Sequence, residues 1–268
     1  MQPKRFYYLI KVQYLGFRLH GWQRQPGFKT VEGLIKKTFK FILLDRRFKV
    51  LGSSRTDALV SANESAFELF LEEEPLDDYS EFLKLFNKNL PPDIKALEIQ
   101  EVDGKFNIIQ DSKQKEYHYL FSFGEKNHPF CAPLMTNLQE SLDIGLMQEG
   151  AKLFEGLHHF QNFCVRSSGK SLYEREVQFS EIHENTLYTA NFFPKKSYVL
   201  IVKGSGFLRY QIRLMMGTLV QLGKGALSLE DIKESLKADV DNQMTYIAPA
   251  SGLILHKIEF LGSSLEKR

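Results

Sequence analysis

Residues 48–62 read Phe48-Lys49-Val50-Leu51-Gly52-Ser53-Ser54-Arg55-Thr56-Asp57-Ala58-Leu59-Val60-Ser61-Ala62. An extended apolar segment ends at Leu51 and an alternating one begins at Ala66, so the polar residues between them predict a loop that joins two strands. This loop carries the Asp57 carboxylate two residues after the Arg55 guanidinium. Such a carboxylate can serve in catalysis, or it can only accept nearby backbone N–H groups in an Asx-type turn. The run alone leaves both interpretations open.

The pattern on both sides of this loop predicts a β-α-β-β-α-β order for the first half of the chain. A strand is predicted over 5–13, and Thr30 can cap a helix whose apolar residues recur at helical spacing. After the strands that flank the loop, a helix is predicted to start at Asp77 or Asp78 and to end before Pro91-Pro92, with a strand over 94–102. This order is the split βαβ pattern of ferredoxin-like domains.

The second half repeats the pattern loosely. Strands are predicted over 117–121, 176–182, 187–192, 198–202 and 253–260, and helices over 142–157 and 207–222, with a short helix capped by Ser228. Polar residues near 103–116 mark a boundary, so we expect an N-terminal domain over 1–108 and a C-terminal domain over 109–268. The predicted fold class is α+β: two ferredoxin-like halves whose antiparallel or mixed sheets adjoin, with a cleft between them.

Composition restricts the class of protein. Of the 268 residues, 43% are apolar, enough for a substantial core, and no apolar run approaches the roughly 18–20 residues that span a bilayer. Cys131 and Cys164 lie far apart without Cys-x-x-Cys spacing, which favours a reducing compartment and argues against a structural zinc site. The pair His158-His159 has no Cys or carboxylate at ligand spacing. We therefore expect a cytoplasmic protein with no membrane association and no metal site.

Charge is distributed unevenly along the chain. Residues 1–57 carry 13 Lys and Arg against 3 Asp and Glu, whereas residues 58–112 carry 4 against 13. A basic first segment with interspersed aromatic residues is typical of a surface that binds a polyanion, with phosphates on the cations and bases on the rings. Solvated helix and strand faces produce the same pattern, and charge by itself favours that second interpretation.

Several separated runs resemble motifs of the TruA-type tRNA pseudouridine synthases. Besides Arg55-Thr56-Asp57, the runs are Tyr14-Leu15-Gly16 with Gly21-Trp22-Gln23-Arg24-Gln25, Asn89-Leu90-Pro91-Pro92-Asp93-Ile94, Tyr117-His118-Tyr119, Phe207-Leu208 with Ile212-Arg213-Leu214-Met215-Met216-Gly217, and Ala248-Pro249-Ala250-Ser251-Gly252-Leu253. Each run is weak by itself, but all of them occur in the family's order along nearly the whole chain.

The resemblance implies an isomerase that converts uridine to pseudouridine in the anticodon stem-loop of tRNA, at positions 38–40. The reaction would need no metal or organic cofactor, and members of the family act as homodimers whose tRNA contacts both subunits. Asp57 would be the nucleophile, which attacks the uracil ring or ribose C1′ while the base rotates and rejoins through carbon. Arg213 would pair with Asp57 and favour its ionised form.

The resemblance also implies substrate contacts. Tyr117 would stack on the flipped uracil, Leu253 would close the apolar side of the pocket, and Arg55 would fill the gap that the extruded nucleotide leaves. Strand packing by Tyr117 and core packing by Leu253 are the plainer interpretations. The glycine-flanked polar loop around Trp22 favours an exposed indole, which would contact substrate, over a core anchor. Lys36 and Lys37, which share a helix turn, are expected to bind RNA phosphates.

Some positions depart from the family pattern. Ser54 and Leu59 stand where bacterial members usually have Gly, Ser61 where they have His, Lys115 where Arg is frequent, and His159 where an acid is common. If residue 59 has positive φ, a branched side chain there is strained. Three alternatives therefore stay open: a paralogue that modifies another uridine or RNA, a catalytically silent RNA-binding or chaperone protein, and a ferredoxin-like domain with no RNA role.

Overall fold

The computed structural model of the protein describes residues 4–165 and 172–262, which contain ten β-strands and five α-helices in a mixed α/β arrangement. They form two compact units. Unit 1 comprises the described residues up to Lys113 and from Leu255 onward, and unit 2 comprises Gln114–Ile254. The change of unit lies a few residues beyond the boundary expected at 108, and the chain returns to unit 1 for most of its last strand. None of the described helices is long and apolar enough to cross a membrane.

Unit 1 has the predicted β-α-β-β-α-β order. Its elements are β1 (Arg5–Tyr14), α1 (Val31–Ile42), β2 (Phe48–Gly52), β3 (Ser61–Glu72), α2 (Tyr79–Asn89) and β4 (Ile94–Val102). Strand β1 is antiparallel to both β3 and β4, and β3 is antiparallel to β2. The last described strand, β10 (Leu253–Phe260), follows β3 in the strand order.

The two helices of unit 1 begin where the sequence predicts. The Thr30 hydroxyl accepts the Gly33 N–H at 3.3 Å, and the Asp78 carboxylate accepts the N–H groups of Ser80 and Glu81. These bonds satisfy N–H groups that have no partner within the helix. The helices meet through Phe39 of α1 and Phe86 of α2, both fully buried, with stacked rings whose centroids are 4.4 Å apart.

Unit 2 is built from β5 (Ser112–Phe123), β6 (Thr136–Leu138), α3 (Ile144–Lys152), β7 (Gly156–His159), β8 (Glu174–Glu184), β9 (Tyr198–Gly204), α4 (Gln211–Gly223) and α5 (Leu229–Ser235). The strand order is β5-β9-β8-β7, with antiparallel pairing throughout, and the short β6 runs parallel to β5. Helix α4 is buried almost all round, and Ser228 starts α5 with a capping box, as predicted.

Two predicted elements of unit 2 are wrong. The helix predicted over 142–157 ends at Lys152, and Gly156 at φ 108° leads into β7 instead. Residues 187–192 form no strand. There the Asn185 side chain accepts the Tyr188 N–H at 3.0 Å and donates to the Tyr188 carbonyl at 2.8 Å. A side chain that takes both backbone groups of Tyr188 competes directly with a strand ladder.

One acidic side chain lies in the core of unit 1. Glu68 of β3 is 1% exposed and sits opposite Leu9 of β1 and Leu51 of β2. Burial raises the pKa of the Glu68 carboxyl to about 7. A hydrogen bond from the Ile108 backbone N–H and the charge of Lys49 act to lower this pKa, and the charge of Asp111 acts to raise it. Within the described part of the chain, Glu68 Oε1 has no hydrogen-bond partner.

This burial predicts a pH-dependent penalty. Because the folded state raises the pKa, ionisation of Glu68 costs stability progressively as pH rises from about 4.5 to about 7. Glu68→Gln removes the group that ionises. The free energy of unfolding of the variant minus that of wild type should therefore be larger at pH 8 than at pH 4, by up to about 3 kcal/mol. Urea unfolding at both pH values measures this, with the exposed Glu74→Gln as the control. An equal Glu68→Gln effect at both pH values would contradict the buried carboxyl.

Candidate active site

The loop that carries Asp57 is anchored at both ends. At its start, the backbone N–H and the hydroxyl of Ser53 both donate to the Ala66 carbonyl, at 3.0 and 2.7 Å. At its end, the Ser61 hydroxyl accepts the Gly16 N–H at 2.9 Å. Both serines are buried. The predicted strand-to-strand loop therefore exists, and its ends are fixed by bonds that do not involve Asp57.

The middle of the loop is held by the segment 14–22. The Thr56 hydroxyl is 2.9 Å from the Tyr14 hydroxyl, and the Thr56 carbonyl accepts the Trp22 N–H at 3.1 Å. The Leu59 N–H donates to the Leu19 carbonyl at 3.0 Å. The residues on either side of Asp57 are thus bonded to a second loop. Asp57 itself is half-buried, and Arg55 is exposed.

Two glycines allow these segments to touch. A Cβ on Gly16 would stand 2.0 Å from the Val60 carbonyl oxygen, and one on Gly52 would stand 2.2 Å from Trp22 Nε1. Any other residue at either position would push the second loop away from the loop of Asp57. The motif that runs from Tyr14 to Gln25 therefore supports the Arg-Thr-Asp loop.

The prediction of an exposed Trp22 is wrong. Its side chain is 3% exposed and lies over Gly52, with Tyr14 and Phe67 ring centroids each at 6.3 Å. The flanking glycines, which suggested a loose loop, instead bring backbones close enough to enclose the indole. Gly52, Tyr14 and Phe67 enclose the indole and leave no room for a nucleotide to stack on it, so Trp22 is a core anchor beneath the loop.

Leu59 has a positive φ, the condition under which its branched side chain is strained. Its φ is 68°, and its side chain is 40% exposed. A residue with a branched side chain is strained in the left-handed region, and such strain persists only where the surroundings over-determine it. The Leu59 N–H bond to Leu19 and the Val60 N–H bond to the Asp57 carbonyl at 3.3 Å supply that restraint.

In unit 2, Tyr117 lies on β5 opposite Val202 of β9. It is 8% exposed, and its ring meets Phe207 edge to face at 5.4 Å between centroids. Tyr119, two residues on and therefore on the same face of the strand, is fully buried. Its hydroxyl donates to the Pro249 carbonyl at 2.7 Å and lies 2.9 Å from the Thr136 hydroxyl. Burial raises the pKa of the Tyr119 phenol, although the Thr136 bond and the Arg213 charge oppose that rise.

Arg213 is half-buried on α4, and segment 246–249 holds it in place. Its Nε donates to the Ala248 carbonyl at 2.8 Å, and the Ala248 N–H donates to the Arg213 carbonyl at 3.1 Å. One turn later, a Cβ on Gly217 would stand 1.8 Å from the Tyr246 carbonyl oxygen, so only glycine admits this segment. The spacing of Arg213 and Gly217 in the motif thus has a steric cause.

The remaining predicted positions of unit 2 lie apart in sequence. Leu253, the first residue of β10, is 6% exposed, which fits core packing and the rim of a pocket equally. His159 lies on β7, where its ring meets Tyr173 edge to face at 5.6 Å. The Nδ1 atom of His159 is buried and has no hydrogen-bond partner among residues 4–165 and 172–262.

The two predicted phosphate-binding lysines differ in their surroundings. Lys37 is exposed, whereas Lys36 pairs with Glu32 and borders a hollow of about 440 Å³. The lining side chains of this basic hollow are Arg24, Lys36, Lys40, Leu44, Arg46 and Phe48. Even with Lys36 paired to Glu32, the four cations leave a net positive charge around one concave surface, and such a surface attracts anions. The sequence analysis did not single out Arg24, Lys40 or Arg46, although Lys36 and Lys40 have the i, i+4 spacing of one helix face.

The structure thus places Asp57, Arg55, Lys36 and Lys37 in unit 1, and Tyr117, Arg213 and Leu253 in unit 2. The pairing of Asp57 with Arg213 stays a prediction. Arg213 bonds to Ala248, and Tyr119 bonds to the adjacent Pro249. In the sequence Tyr119, Ala248 and Pro249 stand only as motif residues, and residues 246 and 247 lie outside the motif. The Tyr-x-Tyr alternation is the one signal that puts Tyr119 on the same strand face as Tyr117.

Known proteins resemble this chain over nearly its whole length. It is 32% identical over 251 residues to tRNA pseudouridine synthase A of Dictyoglomus thermophilum, an alignment that covers 94% of this chain and 98% of that protein. It is also 32% identical to proteins named tRNA pseudouridine synthase A 2 from Bacillus cereus, over 254 residues, and from Desulfotalea psychrophila, over 265 residues. These alignments cover 94% of this chain in both cases and 99% and 98% of the relatives.

A family model described as tRNA pseudouridine synthase matches residues 151–260, the part of the chain that contains Arg213, segment 246–249 and Leu253. The full-length relatives extend the same relationship to the Asp57 loop in unit 1. With this agreement over both units, the chain belongs to the tRNA pseudouridine synthase family, whose members are isomerases.

Proposed function

We propose that this protein isomerises uridine to pseudouridine in the anticodon stem-loop of tRNA, at positions 38–40, with Asp57 as the nucleophile. The observation that carries the proposal is the 32% identity over 94% of the chain to a tRNA pseudouridine synthase A. The retention of Asp57, Tyr117 and Arg213 supports the catalytic interpretation over a silent RNA-binding protein. We also propose that the protein is cytoplasmic and forms a homodimer. A light-scattering mass equal to that of one subunit would contradict the homodimer.

The proposed reaction balances without an oxidant or reductant. The glycosidic bond between uracil N1 and ribose C1′ breaks, a bond between C5 and C1′ forms, and the proton on C5 is lost while N1 gains one. The Asp57 carboxylate holds the covalent intermediate by attack on C1′ or on the uracil ring, and it is released when the base has rejoined through carbon.

The fixed loop is what suits Asp57 to this role. A nucleophile contributes most when its position is set before substrate binds, since a misplacement of about 1 Å can cost 100-fold in rate. The bonds of Ser53, Thr56, Leu59 and Ser61 set the position of the backbone around Asp57. Arg55 is exposed on the same loop, which supports the proposal that it fills the space that an extruded nucleotide leaves.

The unit 2 residues have complementary roles in the proposal. Tyr117 presents an aromatic ring to the uracil and lies where the C5 proton must be removed, and Leu253 closes the apolar side of the pocket. Arg213 stabilises the ionised carboxylate through its charge. The bond from Arg213 Nε to the Ala248 carbonyl supports this role, because it restrains the guanidinium.

The basic hollow supports binding to the RNA backbone. Lys36 and Lys40 face it from α1, Arg24 and Arg46 from the flanking loops, and Phe48 adds an aromatic surface. RNA phosphates that replace solvent counterions there would gain affinity in a salt-dependent way. We propose that this hollow and Lys37 bind tRNA phosphates outside the modified nucleotide.

Asp57→Asn should retain tRNA binding within about twofold and lose more than about 1,000-fold in the rate of pseudouridine formation, because an amide keeps the shape but is a poor nucleophile. Single-turnover kinetics with a tRNA transcript, together with a filter-binding assay, measure both properties. The exposed Asp77→Asn serves as the control. Turnover by Asp57→Asn within tenfold of wild type would remove Asp57 from the nucleophile role.

Neutralising the hollow should weaken tRNA binding without changing the modified position. Lys36→Gln with Lys40→Gln should make the negative slope of log affinity against log salt shallower by about 2, one unit for each phosphate contact. Lys95→Gln, an exposed lysine of β4, is the matched control, and Lys37→Gln tests that residue separately. An unchanged slope in the double variant, or a shifted modification site, would contradict the phosphate contacts.

Folded tRNA should be a far better substrate than an isolated single strand, because one pocket reads one base and the choice of uridine must come from RNA shape. We expect kcat/KM to be at least about tenfold higher on a tRNA transcript than on an oligonucleotide with the same uridines. Chemical mapping of pseudouridine provides the measurement. Equal rates would overturn the shape argument, activity only on ribosomal RNA would favour the paralogue, and binding without turnover would favour the silent protein.

A further inference from the structure

Tyr210, at the N-cap of α4, has an unusual backbone conformation. Its φ is 66° and its ψ is 4°, in the left-handed region, and its side chain makes no capping hydrogen bond. Ser, Thr, Asp and Asn are the residues that stabilise this position, and Gly and Asn are those that tolerate left-handed backbone. A tyrosine therefore weakens the helix start in two ways. Such a conformation persists only where the surrounding structure over-determines it, and such positions cluster at functional sites.

The surrounding chain fixes this conformation. The Gln211 side chain accepts the Leu208 N–H at 2.8 Å, the Gln211 N–H donates to the Leu208 carbonyl at 3.1 Å, and the Leu214 N–H donates to the Tyr210 carbonyl at 2.9 Å. Gln211 is 1% exposed, so this residue is fixed in the interior of unit 2. The turn before α4 is thus set by its neighbours, and the ring of Tyr210 is directed by the turn.

The Tyr210 ring contacts two guanidinium groups. Its centroid lies 5.0 Å from Cζ of Arg209 and 5.0 Å from Cζ of Arg213, both within the range of cation–π attraction. Arg209 is exposed, while Tyr210 and Arg213 are half-buried. Attraction between a cation and a ring grows as water is excluded, so the contact with Arg213 is the stronger of the two.

Arg213 is therefore restrained from two sides. Ala248 accepts its Nε–H at 2.8 Å, and the Tyr210 ring covers its guanidinium. A long flexible side chain loses alternative rotamers when both its Nε and the face of its guanidinium are held.

We propose that Tyr210 is a positioning residue that holds the Arg213 guanidinium in its working orientation, and that its left-handed backbone is retained because it brings the ring to Arg213. This inference rests on the proposed catalytic role of Arg213. The tyrosine acts through Arg213 and makes no substrate contact itself.

Substitutions at this position separate orientation from folding. Tyr210→Asn tolerates the left-handed backbone better than tyrosine does, so its Tm should stay close to that of wild type. Its kcat should nevertheless fall at least about tenfold with KM for tRNA within about twofold. Tyr210→Phe keeps the ring and should keep kcat within about twofold of wild type. Single-turnover kinetics on a tRNA transcript and thermal unfolding give these values.

A second measurement is independent of activity. In arginine-labelled protein, the NMR signal of the Arg213 Nε–H carries a ring-current shift from Tyr210, which should be kept in Tyr210→Phe and lost in Tyr210→Asn. If wild type forms no pseudouridine, the proposed function fails, and the Nε–H signal still decides whether Tyr210 orients Arg213. A Tyr210→Asn variant with an unchanged Nε–H signal, or with wild-type kcat, would overturn the proposal.

Discussion

The backbone of residues 16–22 lies against the backbone of residues 56–60, and the position of Asp57 depends on that approach. A Cβ on Gly16 would stand 2.0 Å from the Val60 carbonyl oxygen, and one on Gly21 would stand 2.5 Å from that of Thr56. Two loops that are each exposed and flexible by composition become one rigid body when their N–H and carbonyl groups satisfy each other. The Leu15 N–H, which donates to the Asp93 carbonyl at 2.9 Å, ties the Leu-Pro-x-Asp motif to the same body.

In unit 2 a glycine likewise allows a second backbone segment to approach closely, and that segment restrains a cation. Gly217 admits segment 246–249 to the surface of α4, and that segment then accepts Arg213 Nε through Ala248 and the Tyr119 hydroxyl through Pro249. Backbone carbonyls are precise acceptors, because their positions are set by the chain and not by a rotamer. Three motifs that are far apart in sequence thus serve one purpose, the restraint of a single arginine.

Strained backbone occurs beside both proposed catalytic charges. Of the four described non-glycine residues with positive φ, Leu59 is two residues from Asp57 and Tyr210 is three from Arg213. Strain of this kind costs roughly 1–3 kcal/mol per residue and survives where surrounding bonds hold it. Both positions are enclosed by backbone hydrogen bonds, which indicates that local stability has been exchanged for a fixed geometry.

By itself the sequence determined the order of elements in unit 1, the caps at Thr30, Asp78 and Ser228, and the loop between two strands that carries Asp57. These features depend on periodicity, proline and short polar side chains, which act on their own neighbours in the chain. Tertiary structure decided what those local rules do not contain. The glycine-flanked Trp22 is buried because Gly52 leaves room for its indole, and residues 187–192 form no strand because Asn185 takes the backbone bonds. The ring that covers Arg213 belongs to Tyr210, whose left-handed backbone is imposed by hydrogen bonds of Gln211 and Leu214. The backbone propensity of tyrosine does not predict this conformation.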